Sequence, residues 1–168
     1  MRIVDPILME LDREAQTTRR VLERVPTDRL DWKPHQKSMS LGQLAMHIAQ
    51  IPGNIAGAVA RPAFEIPGDI VGKVAAATST AEALSALDQS VARAKEVLSG
   101  LDDVTISSMW SLKIDGKTVM SMPRLAAVRT IMLNHWYHHR GQLSVYLREL
   151  DVLLPSIYGP SADENPFS

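Results

Sequence analysis

The chain has 168 residues, 45% hydrophobic and 22% charged, the size and make-up of one soluble globular domain over 1–168. Lys plus Arg number 18 against 19 for Asp plus Glu, a balance that argues against nucleic acid or an anionic membrane as partner. There is no cysteine, which excludes disulfides, thiolate ligands and a Cys nucleophile, so any metal site must draw on His, Asp, Glu or water.

The N-terminal apolar residues are interrupted by Asp5, Glu10, Asp12 and Arg13, unlike a signal peptide. No apolar run approaches the roughly 20 residues of a membrane span, so a cytoplasmic protein is expected. Asp5-Pro6 reads as the cap and first residue of helix one. Its inward stripe is Val4, Leu8, Leu11, Ala15, Thr18, Leu22 and Val25, and Pro26 ends it. Thr27 to Met39 lacks a period and reads as a loop, with Trp32 plugging the end of the helical core and His35 exposed.

Ser40-Leu41-Gly42-Gln43 has the form of a capping box and starts helix two, whose inward positions are Leu44, His47, Ile48, Ile51, Ile55 and Val59. Pro52-Gly53 inside this pattern predicts a kink. Arg61 to Thr78, with its prolines and glycines, reads as an irregular connection long enough to cross the bundle. Ser79 and Glu82 form a second capping box for helix three, with Leu84, Leu87, Val91, Ala94 and Leu98 inward and Gly100 as a left-handed cap.

Between Met109 and Met120 the period shortens around Asp115-Gly116, the signal of a small β-hairpin. Pro123 then begins helix four, which runs to about Leu150. Its stripe is Leu125, Val128, Met132, His135, His139, Gln142, Tyr146 and Leu150, all expected to face the core. Ile157 and Tyr158 of the turn-rich tail are expected to pack back on the helices. The fold expected is all-α, a four-helix bundle with a long crossover and a β-hairpin between helices three and four.

Two imidazoles on successive turns of one face can close on a single metal ion. His135 and His139 have that spacing, and His47 on the inner side of helix two is the candidate third ligand. Three protein ligands leave a position open, where a water or a thiol is deprotonated near neutral pH. Ligand type alone does not choose among zinc, nickel, copper and iron. His138 lies beside the stripe and reads as a rim residue, His35 as an exposed loop histidine, and Arg140 as an outward residue paired at the surface or a subunit interface. No general base and no Ser/His/Asp arrangement stands out. A structural ion fastening helix two to helix four, or a metal-free module with core histidines, would fit the same spacing.

Ser40-Leu41-Gly42-Gln43-Leu44-Ala45-Met46-His47, His135-Trp136-Tyr137-His138-His139-Arg140-Gly141-Gln142, the tail Pro155 to Glu164 and Trp32-Lys33-Pro34 together resemble the DinB/YfiT-like superfamily. The resemblance implies a four-helix bundle, often a homodimer, with a nickel or zinc ion on three histidines that correspond to His47, His135 and His139. It also implies a small-molecule substrate and, in some members, thiol-dependent transfer with a low-molecular-weight thiol such as bacillithiol or mycothiol. The reading is a metal-dependent transferase or hydrolase that activates a thiol or water; the alternative is a non-catalytic metal-binding or stress-response bundle.

Overall fold

The computed structural model describes residues 1–167 and shows a mostly helical chain with a small three-stranded sheet. Helix α1, Asp5–Leu22, buries Ile7, Leu11, Thr18, Val21 and Leu22, close to the predicted stripe. Asp5 is not its cap. Arg2 takes the carboxylate first, donating from its amide at 2.7 Å and from Nε at 3.0 Å, and Val4 occupies the cap position.

Helix α2, Leu41–Val59, opens on the predicted capping box. The Gln43 amide donates to Ser40 Oγ at 3.2 Å and the Ser40 amide to Gln43 Oε1 at 2.9 Å. Pro52 lies within α2 and does not end it. The neighbouring Gly53 amide donates to Ser90 Oγ at 2.8 Å on helix α3, Thr80–Ser99. Here the two helices approach so closely that a Cβ on Gly53 would stand 2.8 Å from the Ser90 carbonyl oxygen.

Helix α3 begins with half a capping box. The Glu82 amide donates to Ser79 Oγ, but the Glu82 carboxylate accepts from Thr78 instead of returning to Ser79. Gly100 is not a left-handed cap either: its φ is −78°, and its amide bonds back to Glu96 and Val97. The chain stays right-handed because it turns directly into the short helix α4, Asp103–Ser107, capped by Asp102.

The connection from α2 to α3 is more ordered than its composition suggests. It contains strand β1, Ala63–Ile66, which pairs in parallel with β2, Met109–Ile114, in register from Ala63 with Ser111 to Ile66 with Ile114. Strands β2 and β3, Lys117–Pro123, form the predicted hairpin, with Asp115 at φ 46° and Gly116 at φ 76° in its turn. The element is therefore a three-stranded sheet of order β1-β2-β3, not a lone hairpin. A four-residue strand between Pro62 and Pro67 has too short a pattern to read, and its partner is distant in sequence. The other end of the connection returns to the start of α2, where the Ala77 amide donates to the Gly42 carbonyl at 3.0 Å.

The last helical stretch departs most from expectation. It comprises α5, Arg124–Ala127, a π-helical segment, Val128–Asn134, and α6, His135–Glu149. A π turn holds one residue more than an α turn. Downstream of it the buried residues are Trp136, Arg140, Leu143 and Leu147, each one place later than the predicted His135, His139, Gln142 and Tyr146. The histidines are thus half-buried at the rim and Gln142 is exposed, while Val128 and Met132 stay in the core as predicted.

The same shift overturns the outward placement of Arg140, which is 1% exposed. Its guanidinium pairs with Glu14 of α1 at 2.6 Å, donates to Thr18 Oγ1 at 3.1 Å and meets the Tyr158 hydroxyl. Tyr158 in turn donates to Glu14 at 3.0 Å, so the tail is tied back through its hydroxyl, although its ring is largely exposed. Ile157 packs against the core as expected. A buried pair broken on one side leaves an uncompensated charge. Glu14→Ala should lower unfolding stability by about 3–5 kcal/mol, and Glu14→Ala with Arg140→Met should recover much of that loss. Urea titrations of the three proteins check this; equal losses in the single and double variants would contradict it.

Candidate metal centre

His47 projects from the middle of α2, and His135 and His139 from the first two turns of α6. The two helices pack on each other, and Trp136 fixes their relative height by donating its indole N–H to the Ile48 carbonyl at 2.9 Å. That bond places the residue after His47 opposite the residue after His135. The three imidazoles meet there, with one ligand atom of each inside a group no wider than 4.8 Å. The His47 and His135 Nε2 atoms are 3.4 Å apart and those of His135 and His139 2.8 Å.

The outer nitrogens decide what the inner ones offer. His135 Nδ1 lies 3.2 Å from the Ile131 carbonyl, which can only accept, so that nitrogen carries the proton and Nε2 a lone pair. His139 Nδ1 stands 2.6 Å from Gln142 Oε1 and is fixed in the same way. Two lone pairs therefore face each other with no proton between them, an arrangement that calls for a cation. Around a tetrahedral ion with bonds of about 2.0–2.1 Å, donor atoms stand about 3.3 Å apart. The longer of the two distances already has that length, and the shorter needs to open by about half an ångström. The residues fit the ion.

Electrostatics prepare the same state. Burial, with His139 and His135 alongside, pushes the His47 pKa down from 6.5 to about 4. Burial also lowers His135 and His139, partly opposed by the hydrogen bonds to Ile131 and Gln142. All three are then neutral at pH 7, the form in which imidazole binds metal. His47 also lines an open cleft of about 480 Å³ between α2, the β1 region and α3.

A model of the DinB family matches residues 4–165. The chain belongs to the DinB family. Two solved DinB-like proteins have a similar fold. One, from Bacillus subtilis, is 19% identical over 91% of this chain and 97% of its own, with a TM-score of 0.68. The other, from Bacillus cereus, is 20% identical over 90% of this chain and 95% of its own, with a TM-score of 0.65. At such identities the likeness is one of fold. No protein of curated function matches the sequence.

In this DinB-family chain the three histidines that spacing singled out are brought together, and they form the one such ligand group among the described residues. His35 is not in it: it is exposed, its Nδ1 accepting from the Lys37 amide at 3.2 Å. His138 is exposed as well, its ring 4.9 Å from that of His139. Trp32 packs edge-on against Tyr146 at 5.6 Å and is half-buried. The sequence reading missed the role of Gln142, although its position three residues after His139 is the spacing at which helical side chains meet. The Ile131 carbonyl, being backbone of the π segment, left no trace in the sequence.

The pH dependence follows. In the unfolded chain these imidazoles take up protons near the ordinary value of 6.5, whereas folded His47 resists until about 4. Between those limits the unfolded state binds more protons, so stability rises with pH. Metal-free protein should lose stability progressively as pH falls from about 6.5 to about 4. Histidine ring resonances followed by NMR should show His47 titrating near the lower limit, and a His47 transition at or above 6.5 would contradict the burial argument.

Proposed function

We propose that this protein is a cytoplasmic metal-dependent enzyme, built as a four-helix bundle and working as a homodimer. His47, His135 and His139 hold a divalent ion, nickel or zinc. Its substrate is a small molecule, and the reaction is transfer of a thiol, including a low-molecular-weight thiol cosubstrate, or hydrolysis by water. The observation that carries the reading is the pair of Nε2 lone pairs turned towards each other by acceptors fixed behind them.

When bound, the ion supplies the Lewis acidity that deprotonates a thiol or water near neutral pH. The protein does the positioning. Ile131 and Gln142 hold the rings of His135 and His139 in one tautomer and one orientation. Tyr137, beside them on α6, is committed elsewhere: its hydroxyl donates to Glu10 at 2.8 Å, and burial with that carboxylate drives its pKa far up. It is a poor candidate for a proton carrier. The half-buried ligands and the cleft beside His47 favour a site that admits substrate over one in which an ion only fastens helices.

Protein purified without a metal-binding tag should contain about one equivalent of nickel or zinc by elemental analysis. His47→Ala and His139→Ala should lose it while keeping native circular dichroism. Gln142→Leu should retain the site with affinity lowered about 10- to 100-fold, since the outer hydrogen bond is lost and the ligand is not. No metal in the parent after reconstitution, with all variants folded, would overturn the proposal.

A further inference from the structure

The cleft beside His47 has a chemical character that the ligand triad does not explain. Its wall on α2 is one face of that helix, His47, Gln50, Asn54 and Gly57, and the wall continues past the helix end to Arg61. The opposite wall comes from β1 and the turn that follows, where Phe64, Ile66 and Ile70 are apolar and Lys73 is charged. Arg93 of α3 closes the third side.

Three cations, Arg61, Lys73 and Arg93, therefore face one concavity in a chain whose net charge is −1. None of them makes an ion pair among the described residues, whereas Arg2, Arg19, Arg20, Lys95, Arg129, Arg140 and Arg148 do. The cleft also holds one acid, Glu65, which accepts the Gly116 amide at 2.9 Å, so the lining carries three basic side chains against one carboxylate. Arg93 also has a place made for it: a Cβ on Gly57 would stand 2.8 Å from its Nη2, so the missing side chain lets the guanidinium lie against α2. A concave, partly apolar wall with an excess of charge of one sign concentrates ligands of the other.

The second wall is held in place rather than loosely draped. The Gly68 amide donates to Asp115 in the hairpin turn at 2.9 Å, and Gln43 Nε2 donates to the Val74 carbonyl at 3.2 Å. The cleft is thus a feature of the folded chain, pinned to the sheet at one end and to the start of α2 at the other.

We infer that this cleft is the substrate site and that it selects a small organic anion, a carboxylate or phosphate ester with an apolar body. The charged group lies on Arg93 and Arg61, the body rests against Phe64 and Ile55, and the uncharged end reaches His47. At a rise of 1.5 Å per residue, Gly57 is roughly 15 Å along α2 from His47. This assignment rests on the metal-dependent reading for its reacting end, but the anion selectivity belongs to the cleft and is measurable without a metal.

The probe is 8-anilinonaphthalene-1-sulfonate, an apolar anion, against N-phenyl-1-naphthylamine, which lacks the sulfonate. Fluorescence titration of the full chain should show clearly tighter binding of the anion, weakening with added salt. Arg93→Gln and Arg61→Gln should each weaken it about fivefold. Lys33→Gln in the exposed loop should bind as the parent does, and Arg93→Lys, which keeps the charge without the planar fork, should lose less than Arg93→Gln, all with unchanged melting temperatures. Equal affinity for the two probes, or undiminished binding by both arginine variants, would overturn the inference. His47→Ala separates the two readings: retained anion binding with the metal lost supports both. Retained metal would sink the triad and leave the cleft standing, and loss of anion selectivity in this variant alone would move the anion site onto the triad and overturn the inference.

Discussion

The extra residue in the π turn before His135 is the constraint on which the candidate centre depends. Without it, an α-helix continuing from Val128 and Met132 would turn His135 and His139 into the core. There they would be dry, crowded by α1 and α2, and closed to substrate. With it, Trp136 and Arg140 take the inward positions and the imidazoles come to rest half-buried where α2 and α6 meet. A π turn costs regular hydrogen bonding, and such turns recur at functional sites because they re-aim side chains. Here its Ile131 carbonyl also serves as the acceptor behind His135.

The residues that replace the histidines inside do the holding. Trp136 reaches across to the Ile48 carbonyl, and Arg140 to Glu14 and Thr18 on α1. These bonds come from positions adjacent to the two ligands on α6, so any slip of α6 against its neighbours would break them before the imidazoles separated. The Gly53–Ser90 contact seats α2 on α3. The helix that carries His47 is therefore packed on both α3 and α6. Buried polar bonds of this kind add little net stability but specify one alignment, which is what convergence of three side chains from two helices requires.

The connection between α2 and α3 has a second use. Because it carries a strand, it is locked to the β2–β3 hairpin and runs back along α2 to Gly42. A chain segment stretched beside a helix and pinned at both ends leaves a groove between them. That groove ends at His47, which makes the site a surface-accessible corner instead of a sealed core position.

The sequence by itself determined where the four long helical stretches lie, the hairpin turn and which three histidines to consider as ligands. Capping residues such as Ser40, the Asp115-Gly116 pair and apolar periodicity are local signals, and local backbone physics answers to them. It also pointed to the family, through runs of residues around His47 and His135. What only the tertiary structure decided was direction and depth. A π turn has no residue signature of its own, so periodicity carried the helix-four stripe straight through it, placing the histidines inside and Arg140 outside. Strand β1 exists because β2 lies beside it, and Gly100 stays right-handed because α4 follows at once. Each of these depends on a neighbour distant in sequence or on the path of the chain, and neither is written in the local pattern of residues.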